Sequence, residues 1–184
     1  MGRGRQMNSA SNRSAAVCTT EYPWPPMSTK DTCGDKSRLE SWRGRSDSGR
    51  RLVKEFHLAG SEIKGWKLLK VKETEEGNKI IRSIWSRGGN TDELLSIDVF
   101  VASSIKGAHE TVLEALGNMQ SGAITQKTEK NTPGDVAFGL ANTMITFARA
   151  NLVVVIRNAG ATIMPVGNIA RDLDLQIQRR LDVD

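Results

Sequence analysis

The chain has little of what enzymes and metal proteins most often use. It carries two histidines and two cysteines. Cys18 and Cys33 form no Cys-x-x-Cys pair and lie near no histidine, which argues against a metal site. With fourteen residues between them in Gly/Ser/Pro-rich sequence, they would close a small disulfide loop in an exported protein and remain free thiols in a cytosolic one. His57 and His109 fall in separate predicted helices, without acidic or cysteine ligands around them, so each reads as a surface or boundary residue. No Gly-x-Ser-x-Gly elbow presents a nucleophile. Gly88-Gly89 runs into Asn90-Thr91 and then a strand, so no helix N-terminus follows to cradle a phosphate. Neither a catalytic residue nor a cofactor is expected. Aromatic residues make up only 5% of the chain, and no apolar run approaches the roughly 18 to 20 residues of a membrane span. The chain as given therefore reads as soluble. No apolar segment precedes Ser14-Ala15-Ala16-Val17-Cys18, so neither a lipoprotein signal nor a secretory leader is expected there; an extracytoplasmic location would require a signal already removed.

What the chain does have is an uneven charge. The formal net charge is +5 and the pI is near 9.4, values that suggest polyanionic partners. Residues 1–50 hold nine Lys/Arg against five Asp/Glu, whereas residues 51–184 hold seventeen against sixteen. The excess is thus concentrated in the first quarter, where Gly, Ser, Asn, Arg and Pro23, Pro25 and Pro26 leave too little apolar material for a core. Residues 1–48 read as a basic, largely irregular arm whose Arg3, Arg5, Arg13, Arg43 and Arg45 could neutralise nucleic-acid phosphates. Tyr22, Trp24 and Met27 form an aromatic-proline cluster expected to pack on the domain surface or a partner. Residues 49–184 are expected to form one domain.

Hydrophobic periodicity organises that domain. A short helix is expected over 47–58, capped by Asp47 or Ser48, with Leu52, Val53 and Phe56 on one side and Gly60 ending it. Strands follow at 66–74 and 79–86, joined by Glu75-Glu76-Gly77-Asn78, and Leu95, Ile97, Val99 and Val101 alternate after the turn residues 87–92. Ser103 or Ser104 can cap a helix whose face is Ile105, Ala108, Val112, Ala115 and Leu116, with Gly117 as its stop. Residues 118–133 read as a loop with a short extended piece at 123–127. Val136, Phe138 and Leu140 then mark a strand, followed by a hairpin of 144–148 and 152–156 turning at Arg149-Ala150-Asn151, where Asn151 tolerates a left-handed backbone. The unbroken LVVVI run at 152–156 reads as a central strand buried on both faces. Pro165 opens a last helix with an apolar face of Val166, Ile169, Ala170, Leu173, Ile177 and Leu181, and with Asp172 and Asp174 early and Arg179 and Arg180 late to suit the helix dipole. The fold class is α+β: an antiparallel sheet of about five to six strands with two or three helices on one face, its pattern repeating strand-strand-strand-helix over 66–117 and 134–181.

Candidate functional residues are few. Trp66, Arg82, Trp85 and Arg87 lie on one predicted hairpin, and indole and guanidinium groups are favoured in binding hot spots. Strand alternation puts Trp85 with Ile81 and Arg82 with Ile80 and Ile84, so the four cannot line one pocket, and both tryptophans suit the core better than a site. Glu73, Glu75 and Glu76 form an acidic tip, read as a solvated loop before a weak cation site. Pro133-Gly134-Asp135 places a carboxylate at a strand start, suited to a structural Asx-type bond.

Gly134-Asp135 leading into Phe147-x-Arg149-x-Asn151 and an aliphatic strand resembles the closing segment of small exported bacterial α+β domains. The resemblance covers under a third of the chain and carries no functional motif. It implies a location outside the cytoplasm. The reading that best fits the whole is a non-enzymatic soluble binding or interaction module, of unknown protein or small-molecule ligand, acting through an exposed sheet face or the meander loops. The rivals are a nucleic-acid-associated protein binding through the basic arm, and a small-molecule enzyme whose pocket comes from residues far apart in sequence.

Overall fold

The structure is a computed structural model that describes residues 52–58, 63–75, 78–119 and 121–183. The expectations for the arm over 1–48, for Cys18 and Cys33 and for the aromatic-proline cluster fall outside these residues. Among them, seven strands form one antiparallel sheet: β1 (Trp66–Thr74), β2 (Lys79–Arg87), β3 (Asn90–Val101), β4 (Thr125–Gln126), β5 (Val136–Leu140), β6 (Met144–Arg149) and β7 (Leu152–Asn158). Their order is β1-β2-β3-β7-β6-β5-β4. Helix α1 (Ile105–Asn118) follows β3, and α2 (Gly167–Val183) follows β7. The α+β class and the antiparallel sheet are those expected from the sequence. The two-residue β4, paired as Thr125 with Gly139 and Gln126 with Phe138, takes the strand count to seven.

The helices lie on opposite faces of the sheet, not on one as expected. Leu152, Val154 and Ile156 of β7 join Ile169, Ala170, Leu173 and Ile177 of α2 in one core. Val153, between them, joins Ala108, Val112 and Leu116 of α1 in a second. Successive strand side chains point to opposite faces, so a strand as apolar as LVVVI needs cover on both sides. Helices confined to one face would leave Val153 in water. The arrangement also bears on the repeated βββα pattern. A two-fold axis normal to the sheet between β3 and β7 would superpose the two meanders while keeping both helices on the same face. They are on opposite faces, so the halves share an order of elements but are not related by that axis.

The segment 52–58 is irregular, not helical, and covers the α2 face with Val53, Phe56 and Leu58. Its backbone has another use. Val53 donates its N–H to Asn151 Oδ1 at 2.8 Å, and Asn151 Nδ2 donates to the Val53 carbonyl at 2.9 Å and to the Ala102 carbonyl at 2.7 Å. Both Val53 groups are thereby withdrawn from a helical ladder. Asn151 does this from the β6–β7 turn, and the left-handed backbone expected of it belongs instead to Ala150, at φ 50. The hairpin is tighter than expected, since Arg149 pairs directly with Leu152.

Other boundaries shifted for similar local reasons. Gly88 and Gly89 both take positive φ, so the chain reverses within two residues and Asn90 already pairs with Arg87. Ser104 is the α1 cap, accepting from the Gly107 N–H at 3.0 Å. Gly117 does not end that helix, which runs on to a cap at Met119. Asp174 lies in the middle of α2 and serves a tertiary contact in place of the helix dipole. Its carboxylate accepts from Arg149 Nε at 2.8 Å and Nη2 at 2.7 Å, and from Gln178 Nε2 at 2.8 Å. Asp135 completes the group, accepting from Arg149 Nη1 at 3.4 Å and from the Ala150 N–H at 3.0 Å. Gly134 lets the chain reach this point, because at its φ of +76 a Cβ would collide with the Ala148 carbonyl. Burial alone would lower the Arg149 pKa, but the bonds to and charge of Asp174, with Asp135 adding, hold it above its ordinary value. This group fastens α2 to the sheet, and the bonds that Asp135 makes in it reach across to Arg149 and Ala150 and are not of the local Asx type expected from the sequence.

Candidate functional site

The first hairpin brings the four candidate residues together only in part. Trp85 is fully buried on the α2 side, where its Nε1 donates to Ser83 Oγ at 2.8 Å and Ser83 Oγ donates to the Ile97 carbonyl at 3.0 Å. Trp66 packs half-buried against the same core, opposite Arg87, whose Nη1 lies 3.8 Å from Glu93 Oε2. Arg82 sits on the other face, as alternation required. Core packing is therefore the role of Trp85; Arg82 and Arg87 are both exposed, and Arg82 alone of the set lies on the face away from Trp85.

The face that Arg82 shares is built by strand register. Directly opposed residues in an antiparallel pair lie on one face. Lys72 opposes Arg82, which opposes Asp98 of β3. Lys70 opposes Ile84, which opposes Ser96, which opposes Arg157 of β7. Lys67 opposes Ser86. Helix α1 covers this face over β5, β6 and β7, through Val136, Phe138, Ala148 and Val153, and over the end of β3 at Phe100. Beyond it, Lys67, Lys70, Lys72, Arg82 and Arg157 are exposed around the half-buried Ile84. A bulge at Leu69 shifts the β1 register, which is how Lys67, three residues from Lys70, comes to the same face.

One acid lies within these rows, and it is buried. Asp98 is 4% exposed, and Arg157 Nη2 donates to its Oδ2 at 2.9 Å. Its Oδ1 is buried and has no hydrogen-bond partner among the described residues. Burial raises the Asp98 pKa, more than the nearby charges of Arg157 and Arg82 lower it. The surface thus presents cations with no exposed carboxylate among them in these rows.

Other groups offer less. Glu73 accepts from Lys79 at 3.1 Å and faces His57 at 3.5 Å. The bond from Lys79 lowers its pKa and, with the charge of Lys79 and the bond to and charge of His57, outweighs the opposing effect of burial. Glu76 lies outside the described residues. His57 is exposed and lies outside any helix, whereas His109 is buried on the sheet side of α1. Among the described residues no three His, Cys, Asp or Glu side chains gather as metal ligands, and no helix is long and apolar enough to cross a membrane. A shallow depression lined by Lys64, Asp172, Leu175, Gln176 and Arg179 is open and carries both signs of charge.

No family model matches the chain, and no curated protein or solved structure matches it. The functional reading therefore rests on its own geometry. Sequence reasoning found Arg82 but missed its companions. Lys70 and Lys72 were visible as a period-two pair, but the bulge hid Lys67, and Arg157 reaches the face only through the β3–β7 pairing of two separate meanders.

Proposed function

We propose that this chain is a non-enzymatic binding module whose open sheet face, formed by β1, β2, β3 and the end of β7, takes an anionic partner. The observation that carries this reading is the set Lys67, Lys70, Lys72, Arg82 and Arg157 on one uncovered face, with Asp98 buried beneath them. Folding gathers local charge here although residues 51–184 are close to neutral in sum. Like charges gathered on one face repel, so the arrangement favours a partner that neutralises them.

The test is retention of the full chain on immobilised heparin across a salt gradient, compared with Lys70→Glu/Lys72→Glu. Elution of the variant at distinctly lower salt is expected; unchanged elution would remove the face from the account. Binding through the arm is a separate reading, and a variant with Arg3, Arg5, Arg13, Arg43 and Arg45 all changed to Gln separates the two. Retention that follows only the arm variant would transfer the function there.

A further inference from the structure

Resting on the reading that the open face binds an anion, we infer that its partner is double-stranded nucleic acid, gripped by the backbone without sequence discrimination. Three features of the face lead there. The first is its footprint. Lys70 and Arg157 lie in one cross-strand row, three strand spacings or about 14 Å apart. Lys67 and Lys72 oppose Ser86 and Arg82, four residues apart on β2, which adds about 13 Å along the strands. A duplex carries one phosphate charge per about 1.7 Å of axis. It can therefore meet all five cations at once, whereas a single strand must bend across the sheet to touch Lys67, Lys70 and Lys72 on β1 and Arg157 on β7 as well.

The second feature is that, among the described residues, this face carries no exposed aromatic ring. Binders of single strands hold bases on exposed aromatic rings. Trp66 and Trp85 are on the opposite side of the sheet, and Phe100, on this side, is half-buried against the α1 core. The third is the setting of the cations, which stand around the half-buried Ile84 on neighbouring strands of one sheet face. A face that offers charge without exposed rings gains chiefly from counterion release. That gain is larger for a duplex, whose log-log salt slope is about −0.9 per phosphate neutralised against about −0.7 for a single strand.

The experiment is fluorescence anisotropy with the full chain, titrating salt, on a short mixed-sequence duplex, each of its strands, a second unrelated duplex, and heparin as competitor. The duplexes should bind alike and more tightly than either strand. Lys67→Gln/Lys70→Gln/Lys72→Gln should lower the duplex slope by about 2.7 and Arg82→Gln by about 0.9, whatever the arm contributes. All four side chains are exposed, and the melting temperature of each variant verifies its fold. Single strands binding as tightly as the duplex would overturn the inference, as would a slope unchanged in both variants. If heparin binds through the face and the duplex does not, the inference fails while the anionic-partner reading stands; if neither binds, both fail.

Discussion

The two meanders of the sheet use the same element order and live in different environments. Most residues of β5, β6 and β7, up to Ile156, are covered on both faces, by α2 and by α1, and VAFGL, MITFA and LVVVI are apolar almost throughout. Residues of β1 and β2 meet the α2-side core on one face, and on the other present Lys67, Lys70, Lys72 and Arg82 to solvent with Ser86 buried among them. The difference shows what the open face lacks. A helix over β1 and β2 would bury Lys70, Lys72 and Arg82 without partners, at the high cost of burying unpaired charge. The charge pattern therefore keeps that face free.

The comparison can be broken most severely in the covered half. Val154→Asp places a charge in the core at a residue 1% exposed, so no cooperative thermal transition should survive; a folded variant would mean that β7 is not central. Arg149→Met leaves Asp174 buried without its guanidinium, and should cost about 3 kcal/mol in urea denaturation. Asn151→Ala removes the three bonds that hold Val53 and Ala102. It should cost about 2 kcal/mol and speed amide exchange over 52–58 ahead of the sheet.

Changes in the open half should act less on stability. Because the folded pKa of Asp98 is raised, its ionisation opposes folding. Stability from this group is greatest below its unfolded pKa of about 3.9 and falls as pH rises towards the folded value. Asp98→Asn should consequently be neutral at acid pH and stabilising at pH 7, with Arg157 remaining hydrated at 52% exposure. A destabilised variant at pH 7 would show that the Arg157 pair outweighs burial. The smallest effect on folding belongs to Lys67→Gln/Lys70→Gln/Lys72→Gln, within about 0.5 kcal/mol of the parent per site, although the same changes should weaken binding most.

Local chemistry made much of this fold legible. Alternation from Leu95 to Val101, the apolar run at 152–156 and the periodic face from Val166 to Leu181 each appear as the strand or helix their spacing implies. The places where local reading failed are those governed by distant partners. Val53 leaves the helical state because Asn151, in the β6–β7 turn, binds both its backbone groups. Asp174 turns to Arg149 on another element. Placing both helices on one face neglected what LVVVI already required, cover on each side. Of the candidate site only Arg82 was picked out from the sequence, because the width of the site depends on the β1 bulge and on the pairing of β3 with β7.

Lysine acylation footprinting by mass spectrometry, with and without bound heparin, tests most directly whether the uncovered half of the sheet is the binding surface. Lys67, Lys70 and Lys72 should be protected by the ligand, while Lys106 on α1 and Lys130 in the β4–β5 connection should react as before. Protection of Lys106 and Lys130, or of Lys30 and Lys36 alone, with the three β1 lysines still reactive, would contradict the account.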